Sequence, residues 1–232
     1  MFFLLLCALT AGEHILIATP AYDAQVSSHY TTSLIDTQLF LMSHGIQMTL
    51  RVIPNQIVTR ARNILTHMFR KEEVFSHMLF IDADIVWKPE HVLMLLQHKK
   101  DAVVAAYPVK QYHWDRLSEA TKPSDMLGSA TSLVNPYANP DTGLLPAKFA
   151  ATGFMLLTRS AVESVVPLVD MFRYPINGHD EQLANLFDCQ VVDGEYLTED
   201  YYFTELYRRT GGTIYVDVRI PLGHMGNHKY QA

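Results

Sequence analysis

Short apolar runs alternate with stretches of helical periodicity through the first half of this chain, and few folds accommodate that alternation. "HILIATP" (His14–Pro20) is an apolar, β-branched run stopped by proline, which predicts a buried strand. Val26–His44 carries Leu34, Ile35, Leu39 and Leu41 or Met42 at helical spacing, and Gly45 stops it. "MTLRVI" (Met48–Ile53) reads as a second strand, and Ile57–Phe69 as a second helix with Ile57, Ile64, Leu65 and Met68 as its apolar residues. "HMLFID" (His77–Asp82) is a third strand, Pro89–His98 a short helix with proline in its first turn, and "DAVVAAYPV" (Asp101–Val109) a fourth strand. Four strands and three helices in alternation over about 110 residues predict βαβ units, hence a mostly parallel sheet flanked by helices.

The character changes after Pro108. Tyr112–Lys148 is rich in Pro, Ser, Asn and Asp and reads as a long loop or short antiparallel pieces. "FAATGFMLLT" (Phe149–Thr158) is another buried strand, followed by a helix near Ser160–Pro167. Glu199–Gly212 is a helix with acidic residues at its start, Arg208 and Arg209 in its last turn and a glycine stop; "TIYVDV" (Thr213–Val218) is the last strand. With no repeat or flexible linker, residues 13–232 form one α/β domain with a small antiparallel element. Hydrophobic residues make up 49% of the 232 and charged residues 18%, enough for a sizeable core. A net charge of −6 argues against a nucleic-acid binder. Cys7 and Cys189 make neither a disulfide framework nor a zinc spacing.

Residues 1–12, "MFFLLLCALTAG", read either as the core of a signal peptide lacking its positive n-region or as an apolar extension. The expected compartment is accordingly the secretory pathway or the cytoplasm. The stretch is shorter than the roughly 20 residues a membrane helix needs.

The third strand raises a chemical question. "MLFIDADIVW" (Met78–Trp87) ends its apolar run in Asp82 and Asp84, two carboxylates one residue apart. They either cap a turn or converge on a hard divalent cation, Mn²⁺ or Mg²⁺, at the carboxyl end of the strand where α/β sheets bind ligands. Upstream, Arg60, Arg62 and Asn63 start a helix, where basic residues oppose the dipole but suit a phosphate. "ATPAYD" (Ala18–Asp23) follows the first strand and would shape a nucleotide pocket. In "RIPLGHMGNHKY", His224 follows the last strand as a candidate third metal ligand, and Lys229 is within reach of a phosphate. Trp87, Tyr112, His113 and Trp114 serve either as sugar-stacking faces or as packing. "TED" (Thr198–Asp200) admits a bland reading as a helix cap with acidic residues complementing the dipole.

Taken together, "ATPAYD", "TRARN", "FIDADIVW", "ATGFMLL", "EYLTEDYYF" and "PLGHMG" resemble the GT-A glycosyltransferases, and most closely the small transferases of large algal viruses and related bacterial enzymes. The resemblance covers about His14 to Lys229. It implies a Rossmann-like GT-A sheet and transfer of a sugar from a nucleotide diphosphate donor, a UDP-sugar by family habit, to a glycan or other hydroxyl acceptor. It further implies that Thr19, Pro20, Ala21 and Tyr22 line the base and ribose, and that Arg60, with Arg62 and Asn63 beside it, contacts the nucleotide. Asp82 and Ala83 would touch ribose or metal, Asp84 and His224 would ligate the metal, and Thr152 and Gly153 would flank the donor sugar. Asp200, with Glu199 second, would be the base of an inverting enzyme. In retaining glycogenin-like members the tail is spaced one residue longer than His224, Gly226 and Lys229, so the resemblance does not extend to that subclass. Two other readings of the residues stand beside it. One is a metal-dependent phosphohydrolase, disfavoured because the pair follows the third strand instead of the first; the other is a non-catalytic nucleotide-sugar or glycan-binding protein.

Overall fold

Ile15, Leu16, Ile17 and Ala18 are all fully buried, as a strand covered on both faces requires. They belong to β1 (His14–Ala21), which lies between β2 (Gln47–Pro54) and β3 (His77–Ile81), parallel to both. The computed structural model describes residues 12–116, 118–129, 131–134, 143–226 and 229–231; residues 1–11, and with them the signal-peptide reading, lie outside the described residues.

The remaining strands, in chain order, are β4 (Ile85–Val86), β5 (Ala102–Ala105), β6 (Pro108–Tyr112), β7 (Leu127–Ser129), β8 (Ser132–Leu133), β9 (Leu144–Phe149), β10 (Phe154–Thr158), β11 (Met171–Ile176), β12 (His179–Ala184), β13 (Gln190–Val192), β14 (Glu195–Leu197), β15 (Ile214–Asp217), β16 (Gly223–Met225) and β17 (Lys229–Gln231). Among the described residues five α-helices accompany them: α1 (Ser28–Ser43), α2 (Val58–Lys71), α3 (Pro89–Gln97), α4 (Arg159–Val165) and α5 (Glu199–Arg209). The central sheet has eight strands in the order β2-β1-β3-β10-β5-β15-β9-β8. Within it β9 and β10 run against the others, so the sheet is mostly parallel. Side chains alternate across it. Leu16, Phe80, Val104 and Met155 pack with α2, α4 and α5 on one face. Ile15, Ile17, Leu79 and Val103 pack with α1 and α3 on the other.

Two expected strands divide. Asp101–Val109 leaves the sheet after Ala105, because Pro108 has no N–H for a central ladder; β6 instead pairs with β7. Phe149–Thr158 breaks into β9 and β10, which are not neighbours, and Ala150–Gly153 joins them. Gly153 is needed there, since a Cβ would lie 2.6 Å from the Tyr107 ring. The Tyr112–Lys148 segment does supply short antiparallel strands.

Helix α1 begins where Ser27 Oγ accepts from Tyr30 N–H and ends at Gly45, whose φ of +72° suits glycine. Its buried face differs from the expected apolar stripe. Tyr30, Ser33, Thr37 and Leu41 are buried, whereas Ile35, Leu39 and Met42 are exposed. The hydroxyls are placed by Trp87: its indole N–H donates to Thr37 Oγ1 at 2.8 Å, and Ser33 Oγ donates to its carbonyl at 2.8 Å. Trp87 is therefore a packing residue and not a sugar platform.

At the end of β15, Asp217 is fully buried, paired with His98 Nε2 at 2.7 Å and accepting from Arg219 Nη2 at 2.7 Å. Burial opposes its ionisation, but the hydrogen bonds from Arg219 and His98 outweigh that and hold its pKa below the usual aspartate value. A depressed pKa stabilises the fold above the unfolded-state value and loses that contribution as pH falls through the folded one. Asp217→Asn is expected to lower unfolding stability by about 2–3 kcal/mol at neutral pH, the scale of lost charge-assisted hydrogen bonds. Urea titrations at several pH values should show the difference from wild type vanishing in acid.

Candidate functional site

The carboxyl ends of β1 and β3 open onto a cleft of about 300 Å³. β1 contributes Pro20, the turn after it the exposed Tyr22, the turn after β3 Asp82, Ala83 and Asp84, α2 Arg62, and β16 His224. A second cleft of about 260 Å³ shares Asp23, Ala83 and Asp84 and extends to Ser27 and Gly226. The Asp82–Asp84 backbone is fixed from three sides. Asp82 N–H donates to Gly153 O at 3.1 Å, Ser27 N–H to Ala83 O at 2.9 Å, and Met225 N–H to Asp84 O at 2.7 Å. Ile85 N–H closes the turn on Asp82 O at 3.1 Å. The turn is thus held by backbone groups, and both carboxylates are left for cations.

Asp82 Oδ1 accepts from Arg62 Nη2 at 2.9 Å. Arg62 sits on the buried side of α2, with its Nε 3.4 Å from Glu199 Oε1 and its guanidinium 5.3 Å from the Phe80 ring centroid. Its Nη1 is buried with no hydrogen-bond partner among the described residues. Asp84 receives Lys110 Nζ on Oδ2 and faces His224 Nε2 at 3.3 Å on Oδ1. Burial opposes its ionisation, but the contacts from His224 and Lys110 prevail and lower its pKa. His224 is brought there because β16 pairs with β4, His224 lying opposite Ile85. Its Nδ1 lies 2.8 Å from Pro108 O, which can only accept. Nδ1 therefore carries a proton, and Nε2, turned toward Asp84, donates to the carboxylate when protonated and offers its lone pair to a metal when not.

Asp200 Oδ1 accepts from Tyr201 N–H at 2.8 Å and from the Thr198 hydroxyl. Thr198 holds the N-cap position of α5, with Glu199 and Asp200 in the first turn as the cap reading of "TED" expects, but its hydroxyl turns to Asp200 and makes no capping bond. Burial, and next the charge of Glu199, push the Asp200 pKa up; Thr198 and Arg62 restrain the rise.

Several expected residues lie elsewhere. Thr19 is buried behind the cleft, 2.6 Å from Tyr30 OH, and Ala21 is buried beside it. Burial pushes the Tyr30 pKa up to about 12. Asn63 does not face the cleft: its amide bonds Asn185 and both backbone groups of Phe187, tying α2 to the segment after β12. Arg60 stacks over Tyr174 and bonds Gln56 at 3.0 Å, lining a separate hollow with Phe172. Thr152 is fully buried with an unpartnered hydroxyl, and Gly153 N–H donates to Tyr107 OH at 3.3 Å. Lys229, exposed on β17, runs along Gly223 and does not line the cleft. Trp114 is exposed beside Tyr112. Sequence reasoning missed Lys110 and Tyr107, whose ring meets His224 edge-on at 5.1 Å. Their only sequence signal was Pro108, which takes the chain out of the sheet toward Asp84 and His224.

Among the described residues no three His, Cys, Asp or Glu side chains gather as a metal site, because Arg62 holds Asp82. Asp84 and His224 do fit a divalent ion as two ligands. A small hard cation commonly takes one or two carboxylates and fills its shell with waters and substrate phosphates.

No protein-family profile matches the chain, and no curated protein does. Among solved structures it is similar to A197 from STIV, with a TM-score of 0.51 and 15% identity over 92% of this chain and 86% of that one. That likeness shows a common fold. Fainter ones run to GalNAc-T7 with UDP, GalNAc and Mn²⁺ (TM-score 0.47, 10% identity, 92% of this chain and 44% of that one). Another is to a glycosyltransferase involved in glycosylation of the major capsid of PBCV-1 (TM-score 0.34, 10% identity, 65% and 61%). Among the described residues no helix is long and apolar enough to cross a membrane.

Proposed function

We propose that the chain is a GT-A glycosyltransferase that moves a sugar from a nucleotide diphosphate donor, a UDP-sugar, to a hydroxyl of a glycan or other acceptor, with inversion. One observation carries the reading. Asp84 and His224 face each other in a cleft at the strand ends, and Arg62 links that cleft to the Glu199–Asp200 pair.

In this reading Pro20 and Tyr22 hold the nucleoside, and Asp84 and His224 hold Mn²⁺ or Mg²⁺. When bound, the ion neutralises charge on the diphosphate. Arg62, which lines the cleft, donates to the donor from its floor. The acceptor oxygen attacks the anomeric carbon, the bond from that carbon to the diphosphate oxygen breaks, and the nucleoside diphosphate leaves with the electron pair. The acceptor proton passes to the Asp200 carboxylate. Holding donor and acceptor in line supplies much of the rate.

Calorimetric titration of UDP, with GDP for comparison, tests the donor site. UDP binding is expected to need Mn²⁺ and to weaken at least about 10- to 100-fold in Asp84→Ala, the range found when metal-site groups are removed. Absence of binding by either nucleotide would end the transferase reading and favour the phosphohydrolase.

A further inference from the structure

Lys110 and Pro108 lie two residues apart on β6. Together they control Asp84. The Pro108 carbonyl fixes His224, whose Nε2 faces Asp84 Oδ1 at 3.3 Å, and the Lys110 ammonium takes Asp84 Oδ2. Both carboxylate oxygens are thereby engaged by groups that β6 supplies or orients. The lysine stem is positioned as well. A Cβ at Gly226 would lie 3.2 Å from Lys110 Cδ and 3.7 Å from Cγ, so the aliphatic chain runs along the Gly226 backbone.

An ammonium is a compact point charge with donors alone. It neutralises Asp84 as a metal ion does, yet it has no vacant coordination position to offer a phosphate. Where Lys110 bonds Oδ2, an ion bound by the same carboxylate meets a like charge at contact distance. We infer that Lys110 is a tethered counter-ion for Asp84 that a divalent cation must displace, so that this side chain sets how tightly the site takes metal. The inference rests on reading Asp84 and His224 as ion ligands, but it needs neither a nucleotide nor turnover.

The test is titration of the whole chain with Mn²⁺ alone, following the free aqua-ion by electron paramagnetic resonance. Lys110→Met is expected to bind Mn²⁺ about fivefold more tightly than wild type, the scale of a half-exposed ion pair. Lys110→Arg, which keeps a tethered cation, is expected to stay within about twofold of wild type on that scale. Adding Asp84→Asn to Lys110→Met is expected to abolish the gain. A merely structural lysine would give equal or weaker binding on removal, with no restoration by arginine. Unchanged or weakened Mn²⁺ binding in Lys110→Met overturns the inference, as does absence of Mn²⁺ binding by both proteins. Mn²⁺ affinities in the expected order, with no UDP bound by wild type, would remove the transferase reading and leave Lys110 in its role.

Discussion

Asp200→Asn is expected to slow sugar transfer by about 10²- to 10⁴-fold, the range a positioned general base contributes. Release of nucleoside diphosphate from a panel of UDP- and GDP-sugars measures it, and UDP affinity in the same variant should be unchanged. The pH profile carries the sharper information. Burial is the main cause that raises the Asp200 pKa, and the neighbouring Glu199 charge is the next. A base must be ionised to accept a proton, so kcat/KM in wild type should fall as pH drops through that raised value. The acid limb then lies above the ordinary aspartate pKa of about 3.9. It disappears in Asp200→Asn. In Glu199→Gln the like charge is gone, the Asp200 pKa falls, and the limb moves to lower pH. Turnover in Asp200→Asn equal to that of wild type would remove this residue from the reaction.

The strand–helix alternation was legible because burial on both faces writes itself as unbroken apolar runs, as in Ile15–Ala18 and Met78–Ile81. Turns inside those runs were harder to read. "FAATGFMLLT" is apolar throughout, so nothing in its pattern reveals that the chain changes strands between Phe149 and Phe154; the sign was Gly153, which the Tyr107 ring requires. Helix α1 misled in the opposite direction, since its exposed Ile35, Leu39 and Met42 look like a core face while the buried contacts are hydroxyls bonded to Trp87. In the cleft, Asp82 and Asp84 could be picked out because strand ends are where polar residues meet ligands, whereas His224 arrives within a further strand, β16, that pairs with β4. Asn63 was misread for the reason that made Arg62 readable. Both are polar residues early in a helix, and only tertiary contacts separate an arginine facing the cleft from an asparagine bonded to Phe187. Lys110 was hidden because its partner lies 26 residues away in the turn after β3, a separation that no local pattern encodes.

Arg62→Met is expected to lower unfolding stability by about 3 kcal/mol, near the lower end of the range for breaking one side of a buried ion pair. The guanidinium side chain is 4% exposed and is shared by Asp82 and Glu199, at 24% and 13% exposure. Burial works against its charge, but the two carboxylates hold it firmly protonated. Methionine fills much of the volume and leaves both carboxylates without a cation; Asp82 retains some access to water, which moderates the loss. Urea denaturation of Arg62→Met, Glu199→Gln and the double variant would isolate the pair, with the double variant expected to lose less than the two single losses combined. A loss below about 1 kcal/mol in Arg62→Met would place the pair in the range of surface bridges and end the argument for a buried one. Stability alone does not account for an arginine here, because an ion pair of this kind gives little over well-packed apolar groups, and its Nη1 is buried with no partner among the described residues. Lining the cleft, the guanidinium becomes an asset when an anion enters it. Arg62→Met is therefore expected to weaken binding of UDP with Mn²⁺ by roughly tenfold or more, as charge-assisted hydrogen bonds are worth about 1.5–3 kcal/mol. Stability and affinity should fall together in this variant, whereas Asn63→Ala, whose amide bonds Phe187, should lose stability and keep its affinity.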